Sequence, residues 1–273
     1  MTTSISSWTS AQIDSLSTAV ISALGSADVS ALGSAQVPGL SSAQLAAFGT
    51  NITYLGTGAM SALSSAALAG LSSAEAGMLS TGQVSVLSSA DVKALSTAAV
   101  SALGSAEVSV LSSAQVSGLG SAQLAAFGTN ITYLGTGAVS ALSSTALAGL
   151  SSAEAGVLST SQVSVLSLAQ ISALSTAAIN ALTVTTVTQL SSFQIPALST
   201  TQIQALSTSS ISALISSEIS ALTSVQIPAL TTAQIEALTP AQMTIFGQDP
   251  TPANFTPTQI GVMTSTQINA LFT

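Results

Sequence analysis

The residues of this chain that could do chemistry are few. It contains nine Asp or Glu and one Lys, with no His, Cys or Arg. A catalytic triad, a His general base, a zinc site and an arginine clamp on phosphate are therefore excluded. Ser89 and Lys93 suggest a Ser nucleophile with a Lys base, but serines occur throughout the sequence and a lone Lys is expected to be solvated. We predict no enzyme and no catalytic residue.

Acidic residues recur at one position of an eight-residue pattern. None of the acid and glycine spacings of calcium-binding loops is present, so we predict no metal site and no cofactor. A carboxylate near the start of a helix caps it and meets the positive end of the helix dipole, and we interpret these acids in that way. The six are Asp28, Glu75, Asp91, Glu107, Glu154 and Glu218.

The charge and hydropathy patterns exclude further partners. With a single Lys and a net charge of -8, the chain cannot neutralise the phosphates of a nucleic acid, so we expect no nucleic-acid binding. Ser, Thr or Gln interrupts every apolar stretch well short of the roughly 18 residues that a membrane span needs. The segment Met1–Trp8 has neither a basic nor an apolar region, so we expect no cleaved signal peptide.

Large apolar residues recur every eight residues from Trp8 to Leu271, and this repeat defines the organisation of the chain. Thirty repeats have eight residues, two have seven (Phe48–Tyr54 and Phe127–Tyr133) and one has nine (Phe246–Asn254). Counted from the large apolar residue, the consensus for positions one to eight is Leu, Ser/Thr/Gly, Ser/Thr, Ala, Gln/Glu, Ile/Val, variable, Ala. We interpret residues 1–273 as one repeat domain, with an N-terminal cap at 1–15 and irregular repeats and a cap at 239–273.

Positions two and five form a capping box, in which the Ser or Thr hydroxyl accepts from the position-five amide and the Gln or Glu side chain accepts from the position-two amide. Positions one and six are then the pair of residues that forms a hydrophobic staple. Pro240 and Pro257 fall at the first helical position, where a missing N–H costs nothing. These signals predict one short helix in each repeat.

Helices this short are unstable alone, so they must stack. The pattern predicts that positions one and six line a common core while positions three, five and seven face solvent. The predicted fold is an all-α solenoid of very short helices, one per eight-residue repeat.

A β-solenoid is the alternative, because Ala-Gln-Ile-Ser-Ala-Leu also alternates small or apolar residues with polar ones. Pro38, Pro196 and Pro228 support it, since they stand at position seven, where an α-helix needs the N–H. The capping box, the high Ala content and the scarcity of Asn, Asp and Gly for corners favour the helical fold. In that fold we expect the Pro-containing repeats to end in a 3₁₀ turn.

The segment Leu230–Leu238, Leu-Thr-Thr-Ala-Gln-Ile-Glu-Ala-Leu, resembles the tandem repeats of long bacterial surface proteins labelled as haem-utilisation or adhesion proteins. The resemblance covers almost the whole chain, and it implies an extracellular or cell-surface location with export by type I secretion. The sequence contains no His or Cys that could ligate haem iron.

The low charge and the repeat predict a structural protein that assembles with itself into a filament, a surface layer or an adhesive matrix. The alternative is an ice- or polysaccharide-binding solenoid with a Ser/Thr face, which makes surface polysaccharide a second candidate partner. Asn51, Asn130 and Asn254 lie in glycosylation sequons. The predicted assembly contacts are apolar residues near the two ends of the array: Ile5, Trp8, Met263, Ile268, Leu271 and Phe272.

Overall fold

The computed structural model describes residues 5–248 and 254–272, and within these ranges the chain is all-helical. No strand is present among the described residues. The predicted all-α repeat solenoid is confirmed, and the β-solenoid alternative is wrong. The chain separates into two compact halves, Met1–Ala146 and Leu147–Thr273, and each is built from successive coils of short helices.

Most helices have four to six residues, as expected for one helix per repeat. The N-terminal half contains α1 (Ser10–Asp14), α2 (Thr18–Ser22), α3 (Ser26–Ser30), α4 (Ser42–Ala46), α5 (Thr57–Met60), α6 (Ser65–Leu68), α7 (Ser73–Ala76), α8 (Thr81–Ser85), α9 (Ser89–Ala94), α10 (Thr97–Ala102), α11 (Ser105–Ser109), α12 (Ser113–Val116), α13 (Ser121–Ala126) and α14 (Thr136–Ala141). Helix α15 (Ser144–Leu147) ends one residue beyond the boundary between the halves. The C-terminal half contains α16 (Ser152–Gly156), α17 (Thr160–Ser164), α18 (Leu168–Ala173), α19 (Thr176–Ala181), α20 (Val184–Val187), α21 (Thr200–Ala205), α22 (Thr208–Ala213), α23 (Ser216–Ile219), α24 (Thr232–Ala237), α25 (Pro240–Gln248), α26 (Pro257–Val262) and α27 (Ser265–Ala270). Short 3₁₀ helices span Ile5–Ser7, Gly49–Tyr54, Gly128–Tyr133, Ile195–Ala197 and Ile227–Ala229.

The capping box starts the helices, as the repeat at Leu230 illustrates. Thr231 has an extended backbone (φ -70°, ψ 157°), and its hydroxyl accepts from the Gln234 N–H at 3.2 Å. The Gln234 side-chain oxygen in turn accepts from the Thr231 N–H at 2.9 Å. Leu238 ends the helix with φ -63° and ψ 133°. Two extended residues, at positions one and two, therefore turn the chain between one helix and the next.

Two of the repeats with Pro at position seven contain 3₁₀ helices, as predicted. Pro196 and Pro228 lie within the 3₁₀ helices Ile195–Ala197 and Ile227–Ala229. Pro38 follows turn residues 34–36 in a repeat without an assigned helix. A proline at this position removes the N–H that would bond back to position three, so the α-helical turn is not completed.

Positions one and six form the core, which confirms this part of the predicted facing. Every position-one residue from Leu32 to Phe246 is buried, with an exposed fraction of at most 6%. Position six is equally buried from Ile13 to Met243 in the eight-residue repeats. These side chains are Leu, Ile, Val, Met, Ala and Phe, so the core gains its stability from burial of aliphatic area.

Within each half, a helix packs beside the helix three repeats later, as α7 does with α10 and α16 with α19. Positions three and seven of the earlier helix face positions four and eight of the later one. Thus Ser113 Oγ donates to the Gly137 carbonyl at 2.8 Å, and a Cβ on Gly77 would lie 3.3 Å from the Ala102 carbonyl. The small residues at positions four and eight allow this close approach.

The two seven-residue repeats depart from the helical pattern in the same way. Each begins its 3₁₀ helix with a glycine at φ 52°, Gly49 or Gly128, in the left-handed region that other residues rarely adopt. The tyrosines that end these repeats, Tyr54 and Tyr133, are 51% and 50% exposed. Removing one residue from the repeat thus turns its last side chain outward.

The core assignment predicts how two positions respond to alanine. Leu111→Ala should destabilise the N-terminal half by roughly 2 to 5 kcal/mol, because it deletes a buried side chain and leaves a cavity. Ser117→Ala, at exposed position seven of the same repeat, should be near neutral. Denaturant unfolding of the two variants checks this, and equal losses would mean that the facing is wrong.

The close approach of helices predicts opposite effects at two glycines. A Cβ on Gly70 would collide with the Ser42 side chain and lie 2.9 Å from its Cα and carbonyl oxygen. Gly70→Ala should therefore cost about 1 to 3 kcal/mol through overpacking. A Cβ on Gly58, in α5, meets nothing within 4 Å, so Gly58→Ala should stabilise by about 0.5 to 1 kcal/mol. Thermal unfolding measures both effects, and a stabilising Gly70→Ala would contradict the packing.

Candidate functional site

The position-five glutamines join each coil to the coil before it. Gln226 shows the geometry: its Oε1 accepts from the Thr223 N–H at 3.0 Å, and its Nε2 donates to the Ile195 carbonyl at 2.8 Å and the Leu198 carbonyl at 2.7 Å. These acceptors lie 31 and 28 residues earlier, at position six of the fourth preceding repeat and position one of the third. A coil therefore takes between three and four repeats.

We call this set of side chains the glutamine ladder. In the N-terminal half its members are Gln36, Gln44, Gln83, Gln115 and Gln123, and in the C-terminal half they are Gln194, Gln202, Gln226, Gln234, Gln242, Gln259 and Gln267. All are buried, with exposed fractions between 2% and 9%.

The prediction that position five faces solvent is therefore wrong. The helix cap uses only the side-chain oxygen of the glutamine, which leaves two amide hydrogens for other acceptors. Main-chain carbonyls of the preceding coil need donors, because a buried unpaired carbonyl costs about 1 to 3 kcal/mol. The sequence signal that could have revealed this is the preference for Gln over Glu, since only Gln can both accept and donate.

The acidic position-five residues act as caps, as predicted, at several of the six places. Glu75 accepts from the N–H and the hydroxyl of Ser72, at 2.9 Å and 2.8 Å. Asp91 accepts the same pair from Ser88, and its second oxygen accepts from the Ser65 hydroxyl at 2.7 Å. Asp28 and Glu154 each accept a main-chain N–H from position two.

Glu107 differs from this pattern, because it is half-buried and accepts no hydrogen bond within the described part of the chain. Glu218 is 2% exposed and, like Glu154, accepts a single hydrogen bond from the described residues, from the Ile215 N–H at 2.7 Å. Ile215 has no hydroxyl to offer. Burial raises the pKa of Glu218, and the Ile215 N–H partly opposes that rise.

Lys93 and Ser89 lie in the same helix, α9. Both side chains are exposed, and no hydrogen bond joins them in the structure. The Lys93 stem lies along Gly118, where an added Cβ would be 3.7 Å from Lys93 Cβ and Cδ. Within residues 5–248 and 254–272, no group of three or more acids, His or Cys is arranged to hold a metal ion.

The sequon asparagines have a structural use in the two seven-residue repeats. Asn51 Nδ2 donates to the Leu24 carbonyl at 2.9 Å, and Asn130 Nδ2 donates to the Leu103 carbonyl at 3.1 Å. Each thus replaces the ladder glutamine in a repeat that lacks one residue. A glycan on either nitrogen would displace this bond. Asn254 is exposed.

The residues predicted as assembly contacts differ in accessibility. Ile5 is 4% and Met263 8% exposed, so both belong to the core, whereas Phe272 is 85% exposed. Trp8, Ile268 and Leu271 are half-buried. Residues 249–253, which contain Pro250 and Pro252 of the predicted C-terminal irregularity, lie outside the described residues.

The structure adds apolar residues to this set that the sequence analysis missed. Leu16 and Leu24, at position one in the first described coil, are half-buried, unlike the position-one residues from Leu32 to Phe246. Ile260, at position six near the other end, is 49% exposed, unlike the position-six residues before it. The repeat alone could not identify them, because it does not tell how many repeats make a coil.

Comparison with known families supports the repeat assignment. The profile of the ALTTAQ repeat matches at residues 21–51, 85–121 and 211–246. The chain is a repeat protein. No curated protein matches it. None of the helices in the described ranges is long and apolar enough to span a membrane.

The ladder predicts a cost for removing one carboxamide. Gln226→Met keeps the length of the side chain but leaves the Ile195 and Leu198 carbonyls and the Thr223 N–H without their partner, so it should destabilise by roughly 2 kcal/mol or more. Gln189→Met changes an exposed glutamine in the same half and should be near neutral. Urea unfolding compares the two variants, and similar midpoints would refute the structural role of the ladder.

Proposed function

We propose that this protein is a non-enzymatic structural component of the bacterial exterior, whose copies join end to end into a filament. The observation that carries the proposal is the difference between the coil faces near the two ends of the described chain. One face presents half-buried position-one residues (Trp8, Leu16, Leu24), and the other presents the position-six residue Ile260, which is 49% exposed, together with half-buried Ile268 and Leu271. Position-one and position-six side chains pack together throughout the interior.

Hydrogen bonding favours the same orientation. Gln12 stands at position five of the first full repeat, and its Oε1 accepts from the Thr9 N–H at 2.8 Å. Its Nε2 has no acceptor among the described residues, unlike the ladder glutamines. The main-chain carbonyls of Met243 and Phe246 receive no glutamine side chain from the described residues. A second copy would bring such a donor and such acceptors together with apolar surface, as between successive coils.

The outer surface supports a structural role over ligand binding. Ser at position seven commonly donates its hydroxyl to the position-four carbonyl of its own helix, as Ser22 does to Ala19 at 2.9 Å and Ser212 does to Ser209 at 3.1 Å. These hydroxyl hydrogens are therefore already used, which weakens a Ser/Thr face as a binding site for ice or polysaccharide. With 4% charged residues, the surface also opposes close association only weakly.

The experiment compares charges placed on the two end faces with a charge on the side. The full-length chain should form filaments in negative-stain images and sediment as a concentration-dependent polymer. Leu16→Lys and Ile260→Lys should each stop growth, because each buries an unpaired charge at one face. Phe193→Lys, at a side position that is 81% exposed, should leave the filaments unchanged.

Mixing the two end variants tests whether the contact joins the C-terminal face of one copy to the N-terminal face of the next. Leu16→Lys keeps its C-terminal face and Ile260→Lys keeps its N-terminal face, so an equal mixture should form dimers and nothing larger. Loss of assembly in Phe193→Lys alone would indicate lateral contacts instead. A strictly monomeric wild-type chain at high micromolar concentration would refute the filament and favour the polysaccharide-binding alternative.

A further inference from the structure

Glu218 occupies a place in the ladder that a glutamine holds in the neighbouring repeats. Gln226, one repeat later, donates to carbonyls 31 and 28 residues earlier, and Gln194, three repeats earlier, does the same. The same offsets from Glu218 lead to the carbonyls of Val187 and Leu190. All the repeats between them have eight residues, so the register is unbroken.

The ionised Glu218 does not satisfy this place. One carboxylate oxygen accepts from the Ile215 N–H at 2.7 Å, as a ladder glutamine oxygen would. The other accepts no hydrogen bond from the described residues, and by the ladder register it takes the place from which a glutamine donates its amide hydrogens to main-chain carbonyls. An anionic oxygen directed at carbonyl oxygens is repelled by them, whereas a hydroxyl there is a donor.

We propose that Glu218 is a proton-dependent member of the ladder. With a proton taken from solvent, its carboxyl group has the hydrogen-bonding pattern of glutamine: the carbonyl oxygen accepts from Ile215 and the O–H donates to the Leu190 carbonyl. Loss of the proton to solvent breaks the link between this coil and the preceding one. The C-terminal half is thereby weakened as the pH rises.

Among the described residues of the elements packed around Glu218, no other titratable group would account for such a response. Helix α25 packs against α23, and its sequence contains no titratable residue. The repeats 182–197, 206–213 and 222–229 contain none either. Asp249, which follows α25, lies outside the described residues. The nearest acid along the chain that is described is Glu236, which is exposed in α24.

The sign of the pH dependence follows from the pKa of Glu218, which burial raises in the folded chain. A carboxyl group that binds its proton more tightly when folded contributes stability at low pH, below its unfolded pKa. That contribution is lost as the pH rises through the folded pKa. Each unit by which the folded pKa exceeds the unfolded one changes the unfolding equilibrium constant about tenfold.

The test is the difference in stability between wild type and Glu218→Gln, measured by urea unfolding from about pH 4, near the reference pKa of Glu, to pH 8. Gln restores the repeat consensus, so this variant is expected to fold. It should gain stability relative to wild type as the pH rises, until Glu218 is fully ionised. A carboxyl ¹³C titration of Glu218 should reach its midpoint above the ordinary pKa of a Glu side chain.

Three comparisons separate proton binding from other causes. Glu236→Gln removes the same charge from an exposed position and is the matched control for the loss of one negative charge. Ile215→Ser supplies a hydroxyl like that of Ser72, which donates to Glu75 at 2.8 Å, and should reduce the effect of Glu218→Gln. A difference that is constant with pH, or one that calcium or potassium abolishes at neutral pH, would overturn the proposal.

Discussion

The structure depends on one bifunctional side chain at position five. A glutamine there accepts the N–H that opens its own helix and donates to two carbonyls of the preceding coil, as Gln83 does at 2.8 Å and 2.9 Å. Helices of four to six residues have little stability of their own. The carboxamide that caps such a helix also fixes the position of that helix relative to the preceding coil. Local and long-range order are therefore coupled in each repeat.

The sequence predicted what lies within one repeat and missed what lies between repeats. The capping box and the staple involve only residues within one repeat. The sequence therefore predicts both the capping pair Thr231 and Gln234 and the burial of Leu111. The burial of Gln226 could not, because its acceptors are 28 and 31 residues away and the eight-residue period does not contain the number of repeats in a coil. The uncovered Leu24 and Ile260 were missed for the same reason. Ile5 and Met263 are predicted assembly contacts because they are apolar and near the ends of the array, but both are buried in the structure.

The capping box has two parts, the hydroxyl at position two and the side-chain oxygen at position five. Departures from the consensus show that a repeat can lack either one. Gly120 has no hydroxyl, but its N–H still donates to Gln123 at 3.3 Å at the start of α13, and the inter-coil bonds persist. Ala99 has no carboxamide, but the Ser96 hydroxyl still accepts its N–H at 3.1 Å. Either part starts a helix, so single substitutions are tolerated. The repeat that contains Glu218 lacks more of the consensus than these two. Ile215 supplies no hydroxyl at position two, and Glu218 supplies no amide hydrogens at position five.

The ladder also has a direction. Each glutamine of the ladder donates to the coil that precedes it, and among the described residues none of them donates to the coil that follows, as seen for Gln44 with Leu16 and for Gln267 with Leu238. An N-terminal face therefore carries donors and position-one side chains, whereas a C-terminal face carries carbonyl acceptors and position-six side chains. Two like faces would oppose donor to donor or acceptor to acceptor. Such a solenoid can extend its own interior pattern only by joining unlike faces, which is a head-to-tail contact.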